Sequence, residues 1–230
     1  MAVIPLVLGQ TVVTTEQAFE NAGGRQGRAL LIRNFDVTQL RNDAPNLSYD
    51  LRVGAEYKDH RDGWKRDTSD DEHITLIPGG ALIIETEESV HLPGAMFGYL
   101  VPRVKWLQEG VSNTLSKVDA GYNGHLLVTL FNLGKKTAIV PRRERFCSLV
   151  IHSVGADANV FLYDKGAKRI SGPPRSDSVW RRVRDIIEAH PATVMLVLAL
   201  ATVGLILATT ALAIVEFSHL HHAVIGPHGN

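Results

Sequence analysis

Near its end the chain holds twenty-four consecutive residues, Ala192 to Val215, drawn only from Ala, Val, Leu, Ile, Met, Thr and Gly. As a helix this run is about 36 Å long, enough to cross a hydrocarbon core of ~30 Å. It has no polar face to turn toward water. A buried core helix would need apolar partners all round, and nothing earlier in the chain calls for one. The run therefore predicts a transmembrane helix over 191–216. The remaining chain divides around it: a domain at 1–164, a basic linker and short juxtamembrane helix at 165–190, and a His-containing tail at 217–230. Arg175, Arg181, Arg182 and Arg184 precede the span and no Lys or Arg follows it. The positive-inside rule then places the N-terminal domain in the cytoplasm and the tail outside. Trp180 falls near the inner interface. Gly204 and Ala208 form a small-xxx-small pair that permits close helix packing.

The N-terminal part reads as strands. Ala29–Asn34, Tyr49–Val53, His73–Ile77, Ala81–Thr86, Phe97–Val101, His125–Asn132, Thr137–Val140 and Phe146–His152 are apolar, β-branched or alternating segments, and Val160–Tyr163 closes the series. Pro78-Gly79-Gly80 and Leu133-Gly134-Lys135-Lys136 mark turns. Short strands with turns every eight to twelve residues predict an all-β sandwich or barrel. Residues 60–72 are highly charged and read as a solvated loop. Residues 165–177 read as a Gly/Pro/Ser linker, and 178–189 as a short helix ending at Pro191. The N-terminus shows no basic region followed by an apolar run, so no secretory signal is expected.

Charge narrows the partners. Lys and Arg total 24, Asp and Glu total 24. With no net charge and no sustained basic face, a nucleic-acid partner is not expected. The single cysteine, Cys147, excludes an internal disulfide framework and a multi-Cys zinc site. Its apolar neighbours Phe146 and Leu149 predict a buried, inert thiol. His219, His221, His222 and His228 read as a polar end of the tail rather than a metal site.

The chemistry concentrates at Lys117 to Gly124, K-V-D-A-G-Y-N-G, followed by Phe131-Asn132-Leu133-Gly134. A hairpin holding a carboxylate beside an aromatic ring suits a nucleotide sugar. This stretch resembles the third motif of the dUTPase / dCTP deaminase superfamily. Ser48-Tyr49-Asp50-Leu51-Arg52-Val53-Gly54 resembles the first motif. Val90-His91-Leu92-Pro93 and Gly98-Tyr99-Leu100-Val101-Pro102-Arg103 resemble the approach to the second. Arg145-Phe146-Cys147-Ser148-Leu149 sits where the fourth would end. The resemblance implies a distorted jelly-roll (β-clip) domain of dUTPase-like type and a homotrimer with pockets between subunits. It implies binding of a pyrimidine deoxynucleoside triphosphate.

It also implies roles. The acid matching Asp119 activates a water in the dUTPases and helps hold the sugar in the deaminases; an ionised carboxylate only accepts hydrogen bonds, which suits either task. Tyr122 resembles the tyrosine that packs under deoxyribose. Asp50 resembles the acid that holds Mg²⁺ through water. Arg103 matches an arginine able to clasp phosphate with two parallel bonds. Lys105 is a further phosphate partner, as a point charge. Tyr163 and Lys168 occupy plausible binding positions in a tail, Gly166 to Pro174, that resembles that of the deaminases. The bland alternatives are a turn-shaping Asp119, a Tyr122 in ordinary packing, an Asp50 paired with Arg52 or another base, and an Arg103 in a structural ion pair.

Three departures bear on activity. Val104 and Lys105 stand where small hydroxyl and backbone groups should wrap the phosphates. Thr129 stands where the deaminases carry a proton-shuttling Glu, and a threonine without an activating neighbour is no general base near neutral pH. Ser148 replaces the fourth-motif Gln. The expectation is a membrane-anchored deoxynucleotide-binding protein with its catalysis compromised at Thr129. The alternatives are an active dCTP deaminase or dUTP diphosphatase, and a structural trimeric membrane scaffold.

Overall fold

The computed structural model describes residues 2–40, 45–61, 65–68, 73–155, 160–171, 187 and 191–224, with side chains through 214. The chain forms two compact units, Met1–Arg175 and Ser176–Asn230.

The first unit is built of strands. β3 (Tyr49–Asp59) begins with strict alternation: Tyr49, Leu51 and Val53 point inward, while Asp50 and Arg52 point out. β6 (Ala81–His91) does the same with Leu82, Ile84, Thr86 and Glu88 inside. β10 (Asn123–Asn132) buries Leu126, Val128, Leu130 and Asn132. This two-residue period puts one face of each strand against a common core. β12 (Arg145–Ser153) contributes Phe146, Cys147, Leu149 and Ile151, and β7 (Met96–Pro102) contributes Met96 and Leu100. Each such fully buried side chain contributes about 1.5–3 kcal/mol relative to exposure.

Pairing is mostly antiparallel. β6 is the hub. It pairs with β10 from Ala81 to His91, with β3 over Leu82–Thr86, and with β2 (Leu30–Arg33) over Ser89–His91. β3 then pairs with β12, β12 with β7, and β7 with β9 (Ser116–Val118). Short strands β1 (Val12–Val13), β4 (Lys65–Asp67) and β8 (Val111–Asn113) extend β2, β3 and β10. β5 (His73–Leu76) and β11 (Ala138–Pro141) form a separate two-stranded sheet. The β3–β6 register shifts between Val53 and Tyr57. Gly54 lies there, and a Cβ on it would fall 2.5 Å from the Glu85 carbonyl oxygen. Only glycine allows the two backbones this close.

The all-β expectation holds, with β3 and β6 running well past their anticipated ends. Two short helices, α1 (Glu16–Asn21) and α2 (Val104–Gln108), interrupt the strands. The charged stretch at 60–72 contains β4 rather than loop alone. Residues 160–163 form no strand. Their backbone is drawn elsewhere: Tyr163 N donates to Ala120 O at 2.8 Å, against the turn before β10.

The second unit contains α3 (Pro191–Val224). Its segment Ala192–Ile214 is long and apolar enough to cross a membrane, and none of it is buried in the protein. The expected juxtamembrane helix falls, except for Ile187, outside the described residues; so do all four of the arginines named before the span, Trp180 and His228.

Candidate functional site

Two groups of motif residues form at opposite ends of β7. The first depends on β12, which lies between β3 and β7. Ser148 pairs with Asp50 on one side and Val101 on the other. This register lets Ser148 Oγ donate to Asp50 Oδ1 at 2.5 Å. Arg103 follows the end of β7, and its Nε lies 3.0 Å from Asp50 Oδ2. Arg103 Nη1 also donates to Arg145 O at 2.7 Å, an acceptor shared with Trp106 Nε1 at 3.0 Å. Thus residues from three separated motifs meet on one carboxylate. The partner of Asp50 is Arg103, not Arg52.

Gln39 holds this carboxylate's backbone. Its amide donates to Asp50 O and accepts from Asp50 N, each at 2.8 Å. Beside it lies a cavity of about 300 Å³ lined almost wholly by polar residues, among them Thr38, Gln39, Ser48, Asp50 and Arg145. Arg145 Nη2 reaches Asp36 Oδ2 at 2.7 Å and Thr38 Oγ1 at 2.9 Å. Burial alone would raise the Asp36 pKa. Hydrogen bonds from Thr38 and Arg145 more than reverse this and hold it at about 2.

Beneath this surface lies Glu88, fully buried. Its carboxylate accepts from Tyr49 Oη at 3.0 Å, Arg52 N at 2.9 Å and Arg52 Nε at 2.6 Å. Burial pushes its pKa up, against the pull of the Arg52 contacts. A glutamate within a strand gives little outward sign of burial. The available signal was its inward parity with Leu82, Ile84 and Thr86.

The second group surrounds the turn between β9 and β10. Tyr122 N donates to Asp119 O at 3.1 Å, closing the turn. The Asp119 side chain is 37% exposed, with Lys117 Nζ 2.6 Å from its Oδ1. Tyr122 is nearly buried, and its hydroxyl donates to His125 O. Burial, with smaller effects of Tyr163 and Glu85, pushes its phenol up to about 12. The Tyr163 ring sits 5.3 Å from that of Tyr122. Arg25 Nη2 donates to Tyr163 O at 3.1 Å. Residues 160–171 thus run as a strap across the turn. Lys168, on this strap, is exposed.

Among the described residues no hydrogen bond or ion pair joins the two groups. Val118 pairs with Gly98, while Arg103 lies five residues further along. At ~3.3 Å per residue that is roughly 16 Å. Lys105 belongs with the first group but is occupied by Glu144, Nζ to Oε1 3.0 Å. Val104 is exposed in α2, which begins directly after Arg103. Thr129 faces the partly exposed side of β10, opposite Ile83.

A metal would meet a single carboxylate at Asp50, already in contact with Arg103 and Ser148. No cluster of three or more His, Cys, Asp or Glu side chains suited to a metal occurs among the described residues. Such a site fits a hydrated ion carried by phosphates, not a protein cage.

A model of the family described as dCTP deaminase-like matches residues 22–154, more than half of the chain. The chain belongs to that family. Asp50, Arg103, Asp119 and Tyr122 lie inside the matched region; Tyr163 and Lys168 lie beyond it. A dCTP deaminase of Thermococcus sibiricus (strain DSM 12597 / MM 739) is 31% identical over 125 residues, covering 54% of this chain and 76% of that protein. A deoxyuridine 5'-triphosphate nucleotidohydrolase of Escherichia phage T5 is 29% identical over 99 residues, covering 42% of this chain and 67% of that protein. Among solved structures, the 2'-deoxycytidine 5'-triphosphate deaminase from Agrobacterium tumefaciens aligns with a TM-score of 0.45 at 20% identity, covering 52% of this chain and 43% of that one.

Proposed function

We propose that this protein binds a pyrimidine deoxynucleoside triphosphate between neighbouring copies of itself, at a membrane to which α3 anchors it. One observation carries this reading: Asp50, Arg103 and Ser148 converge at one end of β7, and the Tyr122 turn stands at the other. A ligand too short to span both ends of one chain meets both when a second copy supplies the turn. Arg103 turns from Asp50 to the phosphates, where a guanidinium binds with two parallel bonds. Tyr122 and Asp119 of the neighbouring copy take the sugar, with Tyr163 behind the ring. Lys168 is exposed and adds positive charge, and Lys105 does so when it exchanges Glu144 for phosphate. Mg²⁺ arrives hydrated with the phosphates, and Asp50 accepts from its water.

A homotrimer closes such a ring of sites, as cyclic assemblies of repeated head-to-tail contacts do. The arginines before the span keep the nucleotide-binding domain on the cytoplasmic side. The hydroxyl of Thr129 cannot carry the proton that deamination requires, so binding is the function assigned. A second reading, hydrolysis of the triphosphate, is favoured by Asp119 alone, whose carboxylate is open to water beside Lys117.

The test is thermal unfolding of the full chain in detergent micelles with dCTP, dUTP, dTTP and CTP, each with Mg²⁺. A ligand that binds only the folded protein raises the midpoint, by about 2.7 kcal/mol of stability at a hundred times its Kd. A rise with deoxypyrimidine triphosphates that Arg103→Ala abolishes supports the reading. No shift with any of them leaves a structural membrane scaffold as the better description.

A further inference from the structure

A cavity of about 780 Å³ opens beside the first residue of β7. Met96 and its β12 partner Ser153 form part of its wall. Arg103 follows the far end of β7, seven positions on, which is roughly 23 Å along the strand. None of Asp50, Arg103, Asp119 and Tyr122 lines the cavity. Its volume falls within the ~300–1,000 Å³ of sites that take small organic molecules.

The wall combines two chemistries. Ile4, Met96, Val154 and Leu162 supply apolar surface. Arg25 and Arg28 supply two guanidinium groups, both exposed to solvent, and the described lining residues include no acid. The backbone fixes Arg25 in place: Gly94 N donates to Arg25 O at 2.7 Å. Arg25 Nη2 donates to Tyr163 O at 3.1 Å, which leaves most of the guanidinium's N–H donors open. Arg28 makes no hydrogen bond or ion pair with the described residues. Two like charges over a low-dielectric wall focus their field into the cleft and draw anions to it.

We propose that this cavity binds a small amphipathic anion, an aryl or alkyl phosphate or carboxylate, with its charged end on Arg25 and Arg28 and its body against the apolar wall. The assignment is independent of the nucleotide reading. A guanidinium meets the oxygens of either anion with parallel hydrogen bonds. Inorganic phosphate would gain only that contact, and a neutral apolar molecule only the wall. A second nucleotide fits poorly, because the polar edges of its base and sugar would be buried without partners against Ile4, Met96, Val154 and Leu162.

The experiment is titration calorimetry of the full chain in detergent micelles, corrected for heats in micelles alone. The probes are naphthyl phosphate, naphthoate, naphthol and inorganic phosphate. At least one of the two aromatic anions is expected to bind about tenfold or more tightly than naphthol and inorganic phosphate, and the better of the two identifies the head group. Arg28→Glu reverses a charge at an exposed position without partners, so the fold should survive while binding of the anion falls about tenfold or more. Ala95→Phe, which fills the cavity from its wall without changing charge, should weaken binding as well. Arg103→Ala should leave it unchanged. Naphthol binding as tightly as the anions, unaltered anion binding in both Arg28→Glu and Ala95→Phe, or no binding of either anion overturns the assignment. Loss of binding in Arg103→Ala also overturns it, since the probe would then occupy the other site.

Discussion

Arg103 and Asp50 are joined Nε to Oδ2 at 3.0 Å, although 53 positions separate them in sequence. The contact exists because β12 lies between β3 and β7 and aligns Ser148 with Asp50 and Val101 in one row. Both side chains keep about a quarter of their surface in water. Ion pairs of this kind contribute roughly 0.2–1 kcal/mol. Arg103→Ala is therefore expected to change the urea midpoint little. It should weaken nucleotide binding tenfold or more, because a guanidinium bound to phosphate is a much stronger contact. Chemical denaturation and calorimetry on the same variant separate the two effects.

Glu88 behaves differently. It is wholly buried and holds both Tyr49 and Arg52. Glu88→Ala leaves Arg52 and the Tyr49 hydroxyl without their acceptor, and breaking a buried pair from one side costs about 3–5 kcal/mol. A fall of that size in urea unfolding free energy is expected.

Asp36 sets an acid limit. Its folded pKa, about 2, lies below the ordinary 3.8. As pH falls below about 4 the unfolded chain takes up a proton that the folded chain still refuses, so stability declines from there down to about pH 2. Above pH 4 the contribution is constant. Asp36→Asn should be less stable at neutral pH and should flatten this acid slope. Urea midpoints measured between pH 2 and pH 6 check both.

Gly124 lies under the strap. Its φ is +144°, and a Cβ there would fall 2.0 Å from Ala167 Cβ. Gly124→Ala therefore strains the backbone, by roughly 1–3 kcal/mol, and lifts residues 160–171. Faster tryptic cleavage after Lys165 and Lys168 is the expected readout.

Much of this protein was legible from residue order alone. The strand at 49–53 shows in its alternation, those at 81–86 and 125–132 in their β-rich runs beside turn signals, and Asp50, Arg103 and Ser148 stand in motif positions. The contact itself was not legible. It depends on β12 inserting between β3 and β7, a pairing of distant segments that no local period encodes. Local pattern also misled at 160–163. The apolar run there resembles a strand, yet Tyr163 N is taken by Ala120 O, and the segment serves as a strap. Glu88 is hidden in the sequence because a carboxyl in a β run reads as surface until its neighbours are known.

The central claim, a nucleotide site shared between copies, is tested most directly by complementation. Full-length Arg103→Ala and Asp119→Ala chains are produced separately and together, and dCTP binding is measured in micelles. Neither variant alone should bind. A one-to-one mixture should recover about a quarter of the wild-type capacity, because each site takes one half from each of two neighbours. A mixture as silent as its components, beside a wild type that binds, would contradict the account.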